Sequence, residues 1–306
     1  MNAKLNITVM LGGPSAEREV SLRSGAAVAA ALRELGHAVT ELDPQPGRWQ
    51  LPAGTEVVFL ALHGTYGEDG TVQRELDSLG VPYTGCNAEA SRVAFDKILT
   101  KQRCLAASVP TPRYEVFRAA IAAWPDGWRP PVVLKPARQG SSVGLEFVER
   151  SEDLPTALAR ALGHDQEVLM EERIAGMETT VGILDGVPLP VVEVQPRSGG
   201  YDYTNKYTAG KTEYFCPARL SPETTAAVQA AALGAYRAVG ARDYARVDVM
   251  VCQDGRPFVL EVNTLPGMTA LSLLPKAAAA AGLAFGPLCQ RLVDLALRRR
   301  PAARQN

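Results

Sequence analysis

The chain has 306 residues, with 32 Lys and Arg against 33 Asp and Glu, a formal net charge of −1 and no block of five consecutive basic residues. That balance excludes a chain whose main task is to coat nucleic acid. A composition 46% apolar and 21% charged excludes disorder, and at about 150 residues per domain the length allows roughly two domains. Cys86, Cys104, Cys216, Cys252 and Cys289 are widely spaced without a C-x-x-C, and His37, His63 and His164 form no H-E-x-x-H, so neither a disulfide framework nor a zinc motif is indicated. The apolar run Ile7–Leu11 is too short for a signal-peptide core, and no stretch approaches the ~18 apolar residues of a membrane span. A soluble, cytoplasmic chain with no membrane or nucleic-acid partner is expected.

Ile7 to Leu11 reads as a buried strand ending in the turn Gly12-Gly13. An Ala-rich helix follows from Ser21 to Leu35, with Ser15 or Ser21 as its N-cap and Gly36 just past its end. Ala38–Leu42 is a second strand. Val57–Leu62 is wholly apolar and is expected at the centre of a parallel sheet. The β-α-β-α alternation to about Asp96 predicts an open α/β domain over 1–96. From Lys97 a shorter unit, 97–180, is predicted: a helix to Ala107, strands at Val132–Lys135, Leu145–Val148 and Glu167–Glu171, and a helix over Glu152–Leu162. The rest, 181–306, carries several strands, an Ala-rich helix from Pro222 to Val239 and a terminal helix from Pro287 to Arg300.

Arg246–Val251 alternates charged and apolar residues, Asp254-Gly255 is a strong hairpin signal, and Pro257–Asn263 returns. A two-residue turn at Asp254-Gly255 places Asp248 opposite Glu261 and Arg246 opposite Asn263, all on one face. Directly opposed carboxylates repel, and a divalent cation is the natural candidate to offset that repulsion. Two carboxylates and a carboxamide are hard oxygen donors suited to Mg²⁺ or Mn²⁺. The bland alternative is a solvated face with one carboxylate paired to Arg246.

The loop Lys135-Pro136-Ala137-Arg138-Gln139-Gly140-Ser141-Ser142-Val143-Gly144 follows a strand and can bring backbone N–H groups close to phosphate. It is not a G-x-x-x-x-G-K-[ST] loop, and Gly12-Gly13 lacks the G-x-G-x-x-G spacing. Together with Glu261–Thr269 it resembles the ATP-grasp enzymes and, within them, the D-alanine–D-alanine ligase family. Leu11–Ser21, Ala61-Leu62-His63-Gly64 with Gly67-Glu68-Asp69-Gly70, Asp96-Lys97, and Tyr201-Asp202-Tyr203 with Asn205-Lys206-Tyr207 resemble further motifs of that family. In order, these motifs span nearly the whole chain.

The resemblance implies an α/β N-terminal domain followed by an α+β two-subdomain ATP-grasp fold, with ATP between the central and C-terminal parts. Lys97 and Lys135 would contact phosphates, Glu171, Glu172 and Ile174 the adenine, and Glu178 the ribose. Asp248, Glu261 and Asn263 would hold two Mg²⁺ or Mn²⁺ ions. Glu17 and His63 would position the first D-alanine, Ser272 and Lys206 would meet the second substrate's carboxylate or the phosphate, and Leu273 would be a further substrate-binding residue. Arg246 and the backbone N–H of Gly267 would steady the oxyanion, while Glu17, Ser141 and Tyr207 would close the loop. The implied reaction joins two D-alanines through an acyl phosphate, releasing ADP and phosphate, in peptidoglycan precursor synthesis by a cytoplasmic homodimer. A tyrosine at 207 favours the dipeptide over a D-alanyl-D-lactate ester.

Three other readings are weaker. Gly140-Ser141-Ser142-Val143-Gly144 also fits the G-x-S-x-G elbow, but a strand rather than a helix is predicted after it, and His164 is the sole downstream histidine. A different ATP-grasp ligase or biotin-dependent carboxylase is disfavoured by Glu17, His63 and Tyr207. A non-catalytic nucleotide-binding module would be expected to lack an acidic ligand or Arg246, and all are present. Taken alone, Glu17 is an ordinary first-turn acid, Lys97 a solvated helix residue and His63 a structural histidine.

Overall fold

Apolar β-branched runs and Ala-rich amphipathic stretches alternate along the chain, and each takes the form its period dictates. The computed structural model of the protein describes residues 4–196, 212–269 and 272–299. The first unit is β1 (Asn6–Met10), α1 (Arg18–Glu34), β2 (Ala38–Leu42), β3 (Val57–Leu60), α2 (Thr71–Leu79) and α3 (Ala88–Phe95). Its parallel sheet has the order β2-β1-β3. β3 is therefore at the edge rather than the centre, joined beyond by an isolated bridge from Val58 to Tyr83. Its four residues are nonetheless buried, because a run that is apolar on both faces reports what covers it and not how many strands flank it.

Gly36 follows the last turn of α1 with φ +92°, as the sequence predicts. Neither predicted N-cap serine caps the helix. Glu17 occupies the cap position without a side-chain capping bond. Ser15 Oγ instead donates to the His63 carbonyl at 2.6 Å, and Ser21 Oγ donates to the Ala61 carbonyl at 2.8 Å. Both hydroxyls thus tie α1 to the end of β3.

The central unit runs through α4 (Lys97–Ala106), β4 (Tyr114–Phe117), β5 (Val132–Pro136), β6 (Glu146–Val148), α5 (Leu154–Leu162) and β7 (Val168–Glu172). Its antiparallel sheet has the order β4-β7-β5-β6, backed by α5. The last sheet is β11-β10-β8-β12-β13 with β9 paired to β8. Its strands are β8 (Gly176–Leu184), β9 (Val187–Pro188), β10 (Val192–Pro196), β11 (Thr212–Phe215), β12 (Tyr244–Cys252) and β13 (Pro257–Asn263). α6 (Pro222–Ala238) packs on it, capped by Ser221 Oγ, which accepts the Thr224 N–H. β8 pairs with β12 along its whole length, so the expected boundary between 180 and 181 falls inside this strand.

α7 (Leu273–Ala280) and α8 (Phe285–Arg298) end the described chain. Leu274, Leu288, Leu292 and Val293 are fully buried in one apolar cluster with Ile7, Phe59 and Leu32. The last helix therefore completes the core of the first unit and covers β3. Leu292→Ala is expected to destabilise the fold by about 2–5 kcal/mol. Urea denaturation followed by far-UV circular dichroism checks this; a loss near zero would mean that α8 is dispensable to the first core. No single described helix is long and apolar enough to cross a membrane.

Candidate active site

The hairpin β12–β13 carries the acidic pair, and its register is the predicted one by a different route. The turn spans three residues, with the Cys252 N–H bonded to the Arg256 carbonyl at 2.9 Å and Gly255 at φ +83°. That turn alone would shift the pairing by one residue and set Asp248 opposite Leu260. A bulge between Asp248 and Val249 on one strand, with Leu260 the extra residue on the other, restores Asp248 opposite Glu261 and Arg246 opposite Asn263. Because of it, the successive residues Leu260 and Glu261 both line the adjoining cleft. An apolar wall and a carboxylate thereby sit side by side.

The four predicted residues share one face. Arg246, 8% exposed, donates through Nε and Nη2 to the two oxygens of Asp248 at 2.9 and 2.8 Å. Thr180 Oγ1 donates to Asp248 Oδ1 at 2.6 Å, and Asn263 Nδ2 lies 3.3 Å from Asp248 and 3.5 Å from Glu261. The pairing of Arg246 with Asp248 named in the bland reading is thus present, but it coexists with the cross-strand acids. A half-turn of the Asn263 carboxamide presents its oxygen in place of the NH₂ and completes a set of three oxygen donors.

Opposite this face lies the glycine-serine loop after β5. Ser141 and Ser142 both have positive φ, +50° and +61°, a conformation costing about 1–2 kcal/mol for a residue with a Cβ. A network of side chains anchors the loop. Lys97 Nζ donates to the Gln139 carbonyl at 2.6 Å and approaches Glu261 Oε2 at 3.9 Å. Arg138 pairs with Asp165 and Glu167 at 2.8 Å and with Asp96 at 3.3 Å. Asp96 also caps α4 by accepting from the N–H groups of Ile98 and Leu99. Lys97 thereby spans from the loop to the acidic hairpin.

Between the central and last sheets is a cleft of about 1260 Å³. Lys97, Lys135, Glu171, Glu172, Ile174, Glu178, Asp248 and Glu261 all line it. Val133, Phe147, Met250 and Leu260 supply an apolar stretch of its wall. At its floor Glu171, 1% exposed, pairs with Lys135 at 2.7 Å and with Lys101 at 3.3 Å. Burial works to raise the Glu171 carboxyl, but Lys135 and Lys101 together outweigh it and hold it below the usual carboxylate range. Burial pushes the Lys101 ammonium down from its ordinary value, with Glu171 opposing. Lys101 was not anticipated from sequence. It lies one helical turn beyond Lys97, but nothing in a lysine's identity announces that it is 1% exposed.

The opposite end of the site is built where β1 and β3 stop. Glu17 Oε1 accepts from Ser141 Oγ, which joins the first unit to the loop. Two glycines make room for that carboxylate: a Cβ on Gly140 would lie 2.6 Å from Glu17 Oε2, and one on Gly64 would lie 2.9 Å from it. His63 is 6% exposed and follows β3. Glu68 accepts from the Gly64 N–H at 2.7 Å; desolvation and the nearby Glu17 carboxylate push it up to about 8, with Gly64 and Arg246 opposing. A Cβ on Gly267 would lie 2.8 Å from Ser272 Oγ, so the two segments pack closely there. Ser272 Oγ accepts from the Thr269 N–H at 3.0 Å, and the adjoining Leu273 is buried in the core. Lys206 and Tyr207, with Tyr201 and Tyr203, lie outside the described residues.

The family models for the D-Ala-D-Ala ligase N-terminus and C-terminus match residues 46–86 and 115–294. The D-alanine–D-alanine ligase of Methylacidiphilum infernorum is 45% identical over 294 residues, 95% of each chain. That of Syntrophotalea carbinolica is 46% identical over 292 residues, 94% of each chain. The crystal structure of the D-alanine–D-alanine ligase of Bacillus anthracis superposes with a TM-score of 0.85 at 36% identity, covering 97% of this chain and 98% of that one. The same enzyme complexed with ATP gives 0.83 at 34% identity, with the same coverage. A C-terminal family model that matches more than half of the chain, with relatives 45% and 46% identical over nearly its whole length, makes this chain a member of the D-alanine–D-alanine ligase family.

Proposed function

We propose that the protein joins two D-alanines into D-alanyl-D-alanine, consuming ATP and releasing ADP and phosphate, as a step in peptidoglycan precursor synthesis. The observation that carries this reading is one cleft lined together by Lys97 and Lys135 and by the cross-strand pair Asp248 and Glu261. Cations facing an acidic oxygen-donor set suit a polyphosphate bound with divalent ions.

ATP would lie with its adenine against Val133, Phe147, Met250 and Leu260, and near Glu171, Glu172 and Ile174. Glu178 would meet the ribose, and Lys97, Lys135 and the loop N–H groups would meet the phosphates. Asp248, Glu261 and Asn263 would hold two Mg²⁺ or Mn²⁺ ions. When bound, these ions neutralise charge on the transferring phosphoryl group. Glu17 and His63 would orient the first D-alanine so that its carboxylate takes the γ-phosphoryl group. The second D-alanine, held near Ser272 and Leu273 and by Lys206, would then attack the acyl phosphate through its amine. Arg246 and the Gly267 N–H would stabilise the tetrahedral oxyanion, and the contact of Ser141 with Glu17, completed by Tyr207, would exclude water that hydrolyses the intermediate. A cytoplasmic homodimer with no membrane association is part of the same proposal.

Phosphate release from ATP measured with D-alanine, L-alanine or D-lactate tests the substrate. Stimulation by D-alanine, with D-alanyl-D-alanine as the product, is expected; equal rates with all three would sink the assignment. For the metal, titration of Mn²⁺ by electron paramagnetic resonance in the presence of ATP is decisive. Asp248→Ala combined with Glu261→Ala is expected to weaken Mn²⁺ binding by more than the ~10–100-fold typical of losing an outer-shell partner. An unchanged titration would remove these residues as ligands.

A further inference from the structure

Ser24 is fully buried on the inner face of α1, where packing alone asks for an apolar residue. Its hydroxyl instead bridges two segments remote in sequence. Ser24 Oγ accepts from the Met268 N–H at 3.2 Å and lies 3.2 Å from His63 Nε2. The Met268 N–H belongs to the peptide that follows Gly267, the proposed oxyanion donor. His63 is the proposed first-substrate residue. One hydroxyl therefore sits at the junction of the two halves of the substrate end of the site.

The approach is built into α1. Gly25, next to Ser24, packs so closely on Leu11 that a Cβ there would overlap the leucine side chain. Ser21, one turn earlier, is held by the Ala61 carbonyl and by the Gly12 N–H, both at 2.8 Å. Ser15 Oγ fixes the His63 carbonyl. The backbone of His63 is thus anchored independently of Ser24, which leaves Ser24 to act on the ring.

We propose that Ser24 is a positioning residue that sets the tautomer of His63 and locks the histidine to the loop carrying Gly267. The Met268 N–H takes one of the two acceptor sites of the hydroxyl, and in the proposed arrangement the serine proton goes to His63 Nε2 rather than Nε2–H to the second lone pair. The imidazole is then neutral, with its proton on Nδ1. Accepting through Nε2 also fixes the ring against α1, so the histidine meets the first substrate in one orientation. The same bond holds the peptide after Gly267 in step with the histidine, so donors to the first substrate and to the oxyanion keep a fixed separation. This deepens the ligase reading and rests on it for the identity of the substrates.

Two measurements test it. The first is the ¹⁵N spectrum of the full-length wild-type chain at neutral pH, with the His63 resonances identified by their loss in His63→Gln. Protonated Nδ1 and unprotonated Nε2 are expected; a protonated Nε2 overturns the proposal, whatever the enzyme's substrate. The second is steady-state kinetics of Ser24→Ala. The KM for D-alanine at the first site is expected to rise about tenfold, the worth of one hydrogen bond. The KM for ATP should stay within about twofold, and His63 should shift toward a mixture of tautomers. An unchanged D-alanine KM with an unchanged tautomer overturns the positioning role. A wild-type chain that makes no dipeptide would instead defeat the ligase reading, while the tautomer measurement still decides the role of Ser24.

Discussion

Arg246→Ala is expected to lower turnover by about 10²–10³-fold, the range for removing one oxyanion donor, while ATP binding changes far less. The guanidinium is held by Asp248, so in the proposed oxyanion role it would meet developing charge without reorganising. Arg246→Lys should recover little, because an ammonium cannot reproduce the two-point contact with Asp248. Single-turnover rates beside equilibrium ATP titrations separate the two quantities. Equal losses in turnover and in ATP affinity would reassign Arg246 to nucleotide binding.

The second large effect is on stability. Lys101→Met leaves the buried Glu171 carboxylate with Lys135 as its remaining ion-pair partner, and breaking a buried pair costs about 3–5 kcal/mol. The pH dependence has a definite sign. Glu171 is held below its unfolded value, so its contribution is present at neutral pH and is lost as pH falls through the folded value. Removing Lys101 takes away one of the charges that lower it, so the acid limb of the stability profile should move to higher pH. Urea denaturation between pH 4 and 8 reads both effects, and Lys101→Met with Glu171→Gln should be less damaging than the sum of the single changes. An unshifted acid limb would show that Lys101 does not govern Glu171. Because Glu171 also holds Lys135, weaker ATP binding should accompany the loss.

Much of the site was legible before any fold was known. The alternation of Arg246–Val251, the Asp-Gly turn signal and the returning strand placed Asp248 opposite Glu261, and the structure pairs them. That success conceals two departures, since the three-residue turn and the bulge at Leu260 each shift the register by one and cancel. A local pattern specifies which face a strand buries, and the core then selects whichever turn and bulge keep that face inward. The expectation that Val57–Leu62 forms the central strand failed for a related reason. Hydrophobicity encodes burial, and here the burial comes from α8, more than 220 residues further along.

The amino-acid sequence by itself determined the class of fold, the strand and helix periods, the acidic hairpin and the glycine-serine loop. Each of these is written within a few consecutive residues, where side-chain period and turn chemistry act directly. Only the tertiary structure decided that Lys101 is buried against Glu171, that Ser141 reaches Glu17, and that Ser24 bridges His63 and Met268. Those contacts join residues 39 to 244 positions apart, and a lysine or serine carries the same identity whether water or protein surrounds it. The near-zero net charge of the opening count is the clearest case. The chain is balanced as a whole, yet folding gathers Lys97, Lys135, Asp248 and Glu261 around a single cleft. A sum over residues does not record where each charge ends up.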